Sequence, residues 1–282
     1  MAPSFITART VLLACAVTAS QISLSDAADP ARIVFQNGSS IPVSAVSLQG
    51  DKLVVTGTAE GFAQGQNFPA QSADHVFGEK PAEVSQAVAL LLWDKPKDAL
   101  KLLEPVVAAH KVTAKVPGNF WLEAARAALV GYALTGDTAR CQAIGKEIGD
   151  ATPAQGVDPF VALGKALLMP TTGKAEDRLV ALRDLTVGDQ PADVSAYATY
   201  FSGNLLKDEK RAPEAMEAYL TVTCLFPSGG LILTAAAEIK GAEMLAALSR
   251  REEAVALLNS AIRTSGGTVL AEEAKKRLES LK

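Results

Sequence analysis

The residues of this chain whose types could do chemistry are few: two histidines, two cysteines beyond the amino-terminal segment, and three short motifs. His75 and His110 lie in stretches of different composition, and neither is embedded in a recognisable metal-ligand or catalytic motif. A triad assembled by folding stays open, so the alternative is an enzyme or enzyme subunit with a polar pocket around His75 and His110, at the junction of an N-terminal β module and the helices that follow. Thr171-Thr172-Gly173-Lys174 ends like a phosphate loop but lacks the earlier glycine, the following hydroxyl and the preceding strand. It reads as a turn between helices. Asn37-Gly38-Ser39 matches a glycosylation acceptor, and a hairpin turn explains it as well. Phe120-Trp121 could anchor a partner, but Asn119 before them suits a helix cap, with both rings packing in the first turn. Cys141 and Cys224 are expected on apolar helix faces as buried thiols, although export would permit a disulfide. No metal, no cofactor and no catalytic residue is expected, so the search turns to binding and to the elements that would support it.

The 282 residues are 49% hydrophobic and 21% charged, enough for a substantial core. Aromatics are scarce at 5% and alanine is abundant after Glu83, the composition of closely packed helices. A formal charge of −4 and a pI near 5.4 give no general grip on nucleic acid.

Along the chain three regions separate. Residues 1–27 read as a secretory signal: Arg9 supplies the positive start, Thr10 to Leu24 the apolar middle, and Ser25-Asp26-Ala27 the small residues before a cut. That places the mature chain in the periplasm or outside the cell, with no membrane span after cleavage and no lipid anchor. Residues 28–80 read as a small antiparallel β module. Short apolar runs such as "RIVF" and "KLVV" alternate with Asn37-Gly38, Gly50-Asp51 and Gly57, and "QNFPAQSADHVFG" adds one or two strands. So small a sheet should lean on the neighbouring helical region. Residues 81–282 carry helical periodicity, with Pro96 and Pro213 near helix starts and "PSGG" and "TSGG" at helix ends. Ser249 with Glu252 forms a capping-box pattern, and residues 268–282 suit a final capping helix.

The decisive signal is repetition. A small residue opens each second helix at Ala99, Cys141, near Leu179 to Ala181, Ala215 and Ala254, about 35 to 42 residues apart. In the clearest unit Gly203 and Leu206 are followed by Ala215, Tyr219, Val222 and Pro227. Ala242, Leu245, Ala254, Leu258 and Ala261 repeat the pattern. These residues resemble the tetratricopeptide repeat family over roughly Pro81 to Lys282, best in one unit and least between Ala151 and Asp189. The resemblance implies a mainly α chain: a right-handed solenoid of about five helix pairs, preceded by the β module. It also implies a concave face built by the first helix of each pair. Mapped onto this sequence, that face would present Tyr197, Tyr200, Asn204 and Lys207, with Glu123 and Arg126 from an earlier unit. The expected function is a non-catalytic scaffold docking a protein or peptide partner. Self-assembly through an exposed end repeat is a further alternative.

Overall fold

A computed structural model describes residues 31–152, 156–172, 174–265 and 267–281; the predicted signal lies outside them. The chain is mainly helical, with a small N-terminal region of antiparallel sheet. The strands are β1 (Arg32–Phe35), β2 (Ser40–Pro42), β3 (Val46–Gln49), β4 (Lys52–Val55), β5 (Asn67–Pro69) and β6 (Ala73–Phe77). They make two three-stranded sheets, ordered β2-β1-β6 and β3-β4-β5. Asn37-Gly38 turns β1 into β2, and Gly50, with φ +60°, turns β3 into β4. That positive φ is why glycine is needed there.

One unit is built twice. A hairpin, then a proline, then a single 3₁₀ turn and a third strand make β1-β2-β3, and the same series makes β4-β5-β6. Pro42 and Pro69 have nearly the same backbone, φ −58° and ψ 137° against φ −57° and ψ 133°. The amide after each proline donates to a carbonyl just before its unit's first strand, Val43 to Ala31 at 2.9 Å and Ala70 to Asp51 at 2.8 Å. Each third strand pairs with the other unit's first, β3 with β4 and β6 with β1. The shared core holds Ile33, Ile41, Leu53 and Val55. Val116, from beyond the second helix, completes it, and Val76 N–H donates to the Pro117 carbonyl at 3.2 Å. The sheets therefore lean on the helical region.

Eleven α-helices are described: α1 (Ala82–Leu92), α2 (Pro96–His110), α3 (Phe120–Thr135), α4 (Thr138–Ala151), α5 (Pro159–Leu168), α6 (Ala175–Asp184), α7 (Ala192–Asp208), α8 (Ala212–Leu225), α9 (Leu231–Ala247), α10 (Arg251–Thr264) and α11 (Val269–Ser280). Short connections set successive helices antiparallel, so the odd-numbered ones run the same way. Pro96, Pro159 and Pro213 sit in first turns, where a missing donor costs little. Asn119, Asp137 and Asp158 cap α3, α4 and α5, accepting from Leu122, Arg140 and Phe160 N–H. Ser249 does not cap α10. Its backbone is left-handed (φ +62°), and Arg250 occupies the cap position without a side-chain bond. The extended backbone that aims a capping hydroxyl at the helix is absent there.

Odd and even helices differ in burial because they occupy different layers. α3, α7 and α9 are buried on nearly every side, whereas α2, α4, α8 and α10 bury one stripe. The odd helices touch in series, α1 to α3 through to α9 and α11. Even helices pack over them; Ala215, Tyr219 and Val222 of α8 are wholly buried. Gly203 makes one crossing possible, since a Cβ there would lie 2.7 Å from the Tyr219 ring. One feature departs from an open row of hairpins: α1 also packs against α9 and α11. The first inner helix thus meets the last two, and the inner face is largely closed. No described helix is long and apolar enough to cross a membrane.

Candidate functional site

Closure sorts the predicted binding residues into two groups. Tyr200 is fully buried, and its hydroxyl donates to the Leu92 carbonyl of α1 at 2.5 Å. It belongs to the seam between α1 and α7, so the expectation that it faces a partner is corrected. Asn204 spends its side-chain oxygen on the Tyr219 hydroxyl at 2.8 Å. Lys207 is half-buried, and burial together with neighbouring Lys240 pulls its pKa down. Lys240 is 4% exposed and binds Asp94 at 3.0 Å. Lys240 and Arg277 both lie over the Trp93 ring, 4.6 and 4.5 Å from its centroid. These groups hold α1 to α9 and α11 by cation–π and ionic contacts, and they offer little open surface.

Glu123, Arg126 and Tyr197 come together instead. They line a well of about 430 Å³ with Asn119, Phe160 and Asp193. Val88 and Leu91 of α1, Leu122, Ala127 and Val130 of α3, and Ser228 and Gly229 before α9 complete its lining. Ala127 and Val130 lie one and two turns beyond Glu123 on α3, so the polar groups ring a mouth and the floor is apolar.

The mouth is held rigidly. Asp158, with its side chain 1% exposed, caps α5 through one oxygen and receives Arg126 Nε and Nη2 on the other at 3.0 and 2.7 Å. The Arg126 guanidinium lies over the Phe160 ring, 5.1 Å from its centroid, and Tyr197 meets Phe160 edge-on at 5.6 Å. Glu123 pairs with Lys80 in front of α1. The Tyr197 hydroxyl has no hydrogen-bond partner among the described residues. Burial, and then the nearby Glu123 and Asp193 carboxylates, raise its pKa, so it stays a protonated donor. Chemically, the mouth offers that donor, a guanidinium fixed in orientation and two carboxylates above an apolar floor. Such a well orients an apolar group by polar contacts at its rim.

The Asp158-Pro159 helix-start signal was present in the sequence, but the third helix pair lacks the repeat pattern, and with it any cue to Phe160 or Asp193. Phe120 and Trp121 pack structurally: Trp121 is buried and Phe120 lies against the β core. His75 is half-buried beside Asp74, 2.9 Å away. His110, at the end of α2, meets the Phe120 ring edge-on at 5.8 Å, and burial lowers its pKa against the pull of Glu83. Neither histidine lines the well. Among the described residues no three His, Cys, Asp or Glu side chains gather as a metal site. Cys141 is buried, which raises its thiol pKa, whereas Cys224 is exposed on α8, against the expectation of burial. The two are not joined. No family model, no curated protein and no solved structure matches this chain.

Proposed function

We propose that this chain is an exported, non-catalytic scaffold whose helical hairpins dock a partner peptide in the well of Glu123, Arg126 and Tyr197. The helices are read as a divergent tetratricopeptide-like array of about five pairs with right-handed winding. The partner would insert an apolar side chain over Val88, Leu91 and Val130 while its backbone meets the rim. One observation carries this reading: Glu123 and Arg126 of α3 and Tyr197 of α7, far apart in sequence, converge around an apolar floor, and the Tyr197 hydroxyl has no partner among the described residues. A rim fixed by Asp158 and Phe160 loses little freedom on binding, which favours affinity.

A photo-crosslinking side chain at Leu122 tests it in cells, with the same probe at Lys146 on the outer helix α4 as control. The expected result is one partner captured from Leu122, absent from Lys146, and lost when Val130→Trp fills the floor. Capture of this chain alone would favour self-assembly, and equal capture from both positions would remove the well. The proposed location is tested separately: the mature protein outside the cytoplasm should begin within a residue or two of Ala28, and a cytoplasmic chain starting at Met1 would refute export.

A further inference from the structure

The duplicated β unit has one asymmetry. The turn between β1 and β2 needs only residues 36–39, but its counterpart between β4 and β5 runs through residues 56–66. The short form shows that the fold closes without the extra residues. Longer loops cost little entropy, and those retained in compact modules commonly serve binding. This loop carries Phe62, which packs on Phe35 and Phe68 with centroids 5.8 and 5.6 Å away. The Phe35 and Phe68 rings are 4.9 Å apart. The three rings line a groove of about 660 Å³ between the two equivalent turns.

The polar side of the groove is amide-rich and nearly uncharged. The Gln36 side chain has no hydrogen-bond partner among the described residues. Asn37 and Gln66 use their side-chain oxygens to accept from Ser39 and from Ala63 N–H, leaving both NH₂ groups unspent. Arg32 is committed to Ser40 at 2.9 and 3.0 Å, so Glu60 is the remaining charge. The edge strands here, β2 and β5, are three residues long and end in Pro42 and Pro69. Such edges are poor templates for an added peptide strand. The opposite edges are covered: β3 packs on the 3₁₀ turn at Lys111–Thr113, and β6 bonds Pro117. A neutral, hydroxyl-rich ligand with apolar C–H faces meets both walls, stacking on phenyl rings and bonding planar amides.

We propose that this groove binds a short stretch of neutral oligosaccharide, so that the β module is a carbohydrate-binding element distinct from the helical well. The test titrates the intact protein with chitotetraose, cellotetraose and maltotetraose while following side-chain amide resonances by NMR. At least one sugar should shift the Gln36, Asn37 and Gln66 NH₂ signals together. Phe62→Ala should weaken that binding about tenfold, the loss of one stacked ring. Gln36→Ala, at an exposed position, should weaken it several-fold with an unchanged melting temperature. The proposal is overturned if none of the three sugars moves these signals at millimolar concentration, if both variants bind as the parent does, or if an extended apolar peptide moves the signals and the sugars do not.

Discussion

Deleting one hydroxyl tests whether the inner face is closed. In Tyr200→Phe the ring stays packed, but the donor 2.5 Å from the Leu92 carbonyl is lost. That carbonyl lies in the last turn of α1, where no intrahelical amide can reach it. A buried acceptor left without a partner costs about 1–3 kcal/mol. For a chain of this size each kcal/mol lowers Tm by about 2–4 °C, so a fall of roughly 2–12 °C is expected. Tyr197→Phe is the control: its hydroxyl has no partner among the described residues, and the change should stay within about 0.5 kcal/mol. Calorimetry supplies Tm, and hydrogen exchange locates the loss. The amides of Trp93 and Lys95, bonded back into α1, should lose protection in Tyr200→Phe and keep it in Tyr197→Phe. Were the helices an open row in solution, Tyr200 would face water and both variants would be equally silent. That result would refute closure and restore a broad concave face.

The same packing fixes three further outcomes. Burial raises the pKa of Tyr197, Tyr200 and Tyr219, so their contribution to stability is complete below the ordinary tyrosine pKa of about 10 and is lost as pH climbs beyond it. Tyrosinate absorbance should therefore rise together with loss of helical circular dichroism; free titration near pH 10 with helices intact would contradict the burial. Arg126→Met strands the Asp158 carboxylate in the interior and should cost about 2–4 kcal/mol by denaturant melt, whereas adding Asp158→Asn should recover much of that loss. Equal losses in the single and double variants would show that the pair is not coupled. Gly203→Ala drives a methyl against the Tyr219 ring and should cost about 1–3 kcal/mol, whereas Gly149→Ala, a helical position with open space around it, should gain about 0.5–1 kcal/mol.

Much of the local architecture was written in the sequence because its causes are local. Asn37-Gly38 marks a hairpin, Pro96 and Pro213 mark helix starts, and Asn119 caps α3, each through chemistry confined to a few neighbouring residues. The stripe of Ala215, Tyr219 and Val222 and the gap at Gly203 gave the best hairpin its packing. Ser249-x-x-Glu252 misled because the same letters fit a cap only when the backbone is extended, and here it is left-handed. Closure was illegible for a different reason: Trp93, Lys240 and Arg277 are far apart in sequence, and each alone reads as an ordinary helix residue. Their meeting is a tertiary fact that no repeat period encodes.

Closure also explains why the predicted residues divided as they did. Parallel inner helices put their positive dipole ends at one mouth and their negative ends at the other. Glu123 and Asp193 stand in first turns and Asp158 caps α5, whereas Lys207 and Arg277 stand in last turns. Acids at one end and cations at the other therefore complement the helices before any partner is considered. At the cationic end the charges are drawn into the seam with Trp93, Asp94 and Glu243, and little is left to bind. At the acidic end the Arg126–Asp158 pair and Phe160 brace the wall, and the well remains open. The proposed partner-binding role thus rests on the N-terminal mouth of the inner helices, where fixed polar groups border unfilled apolar space.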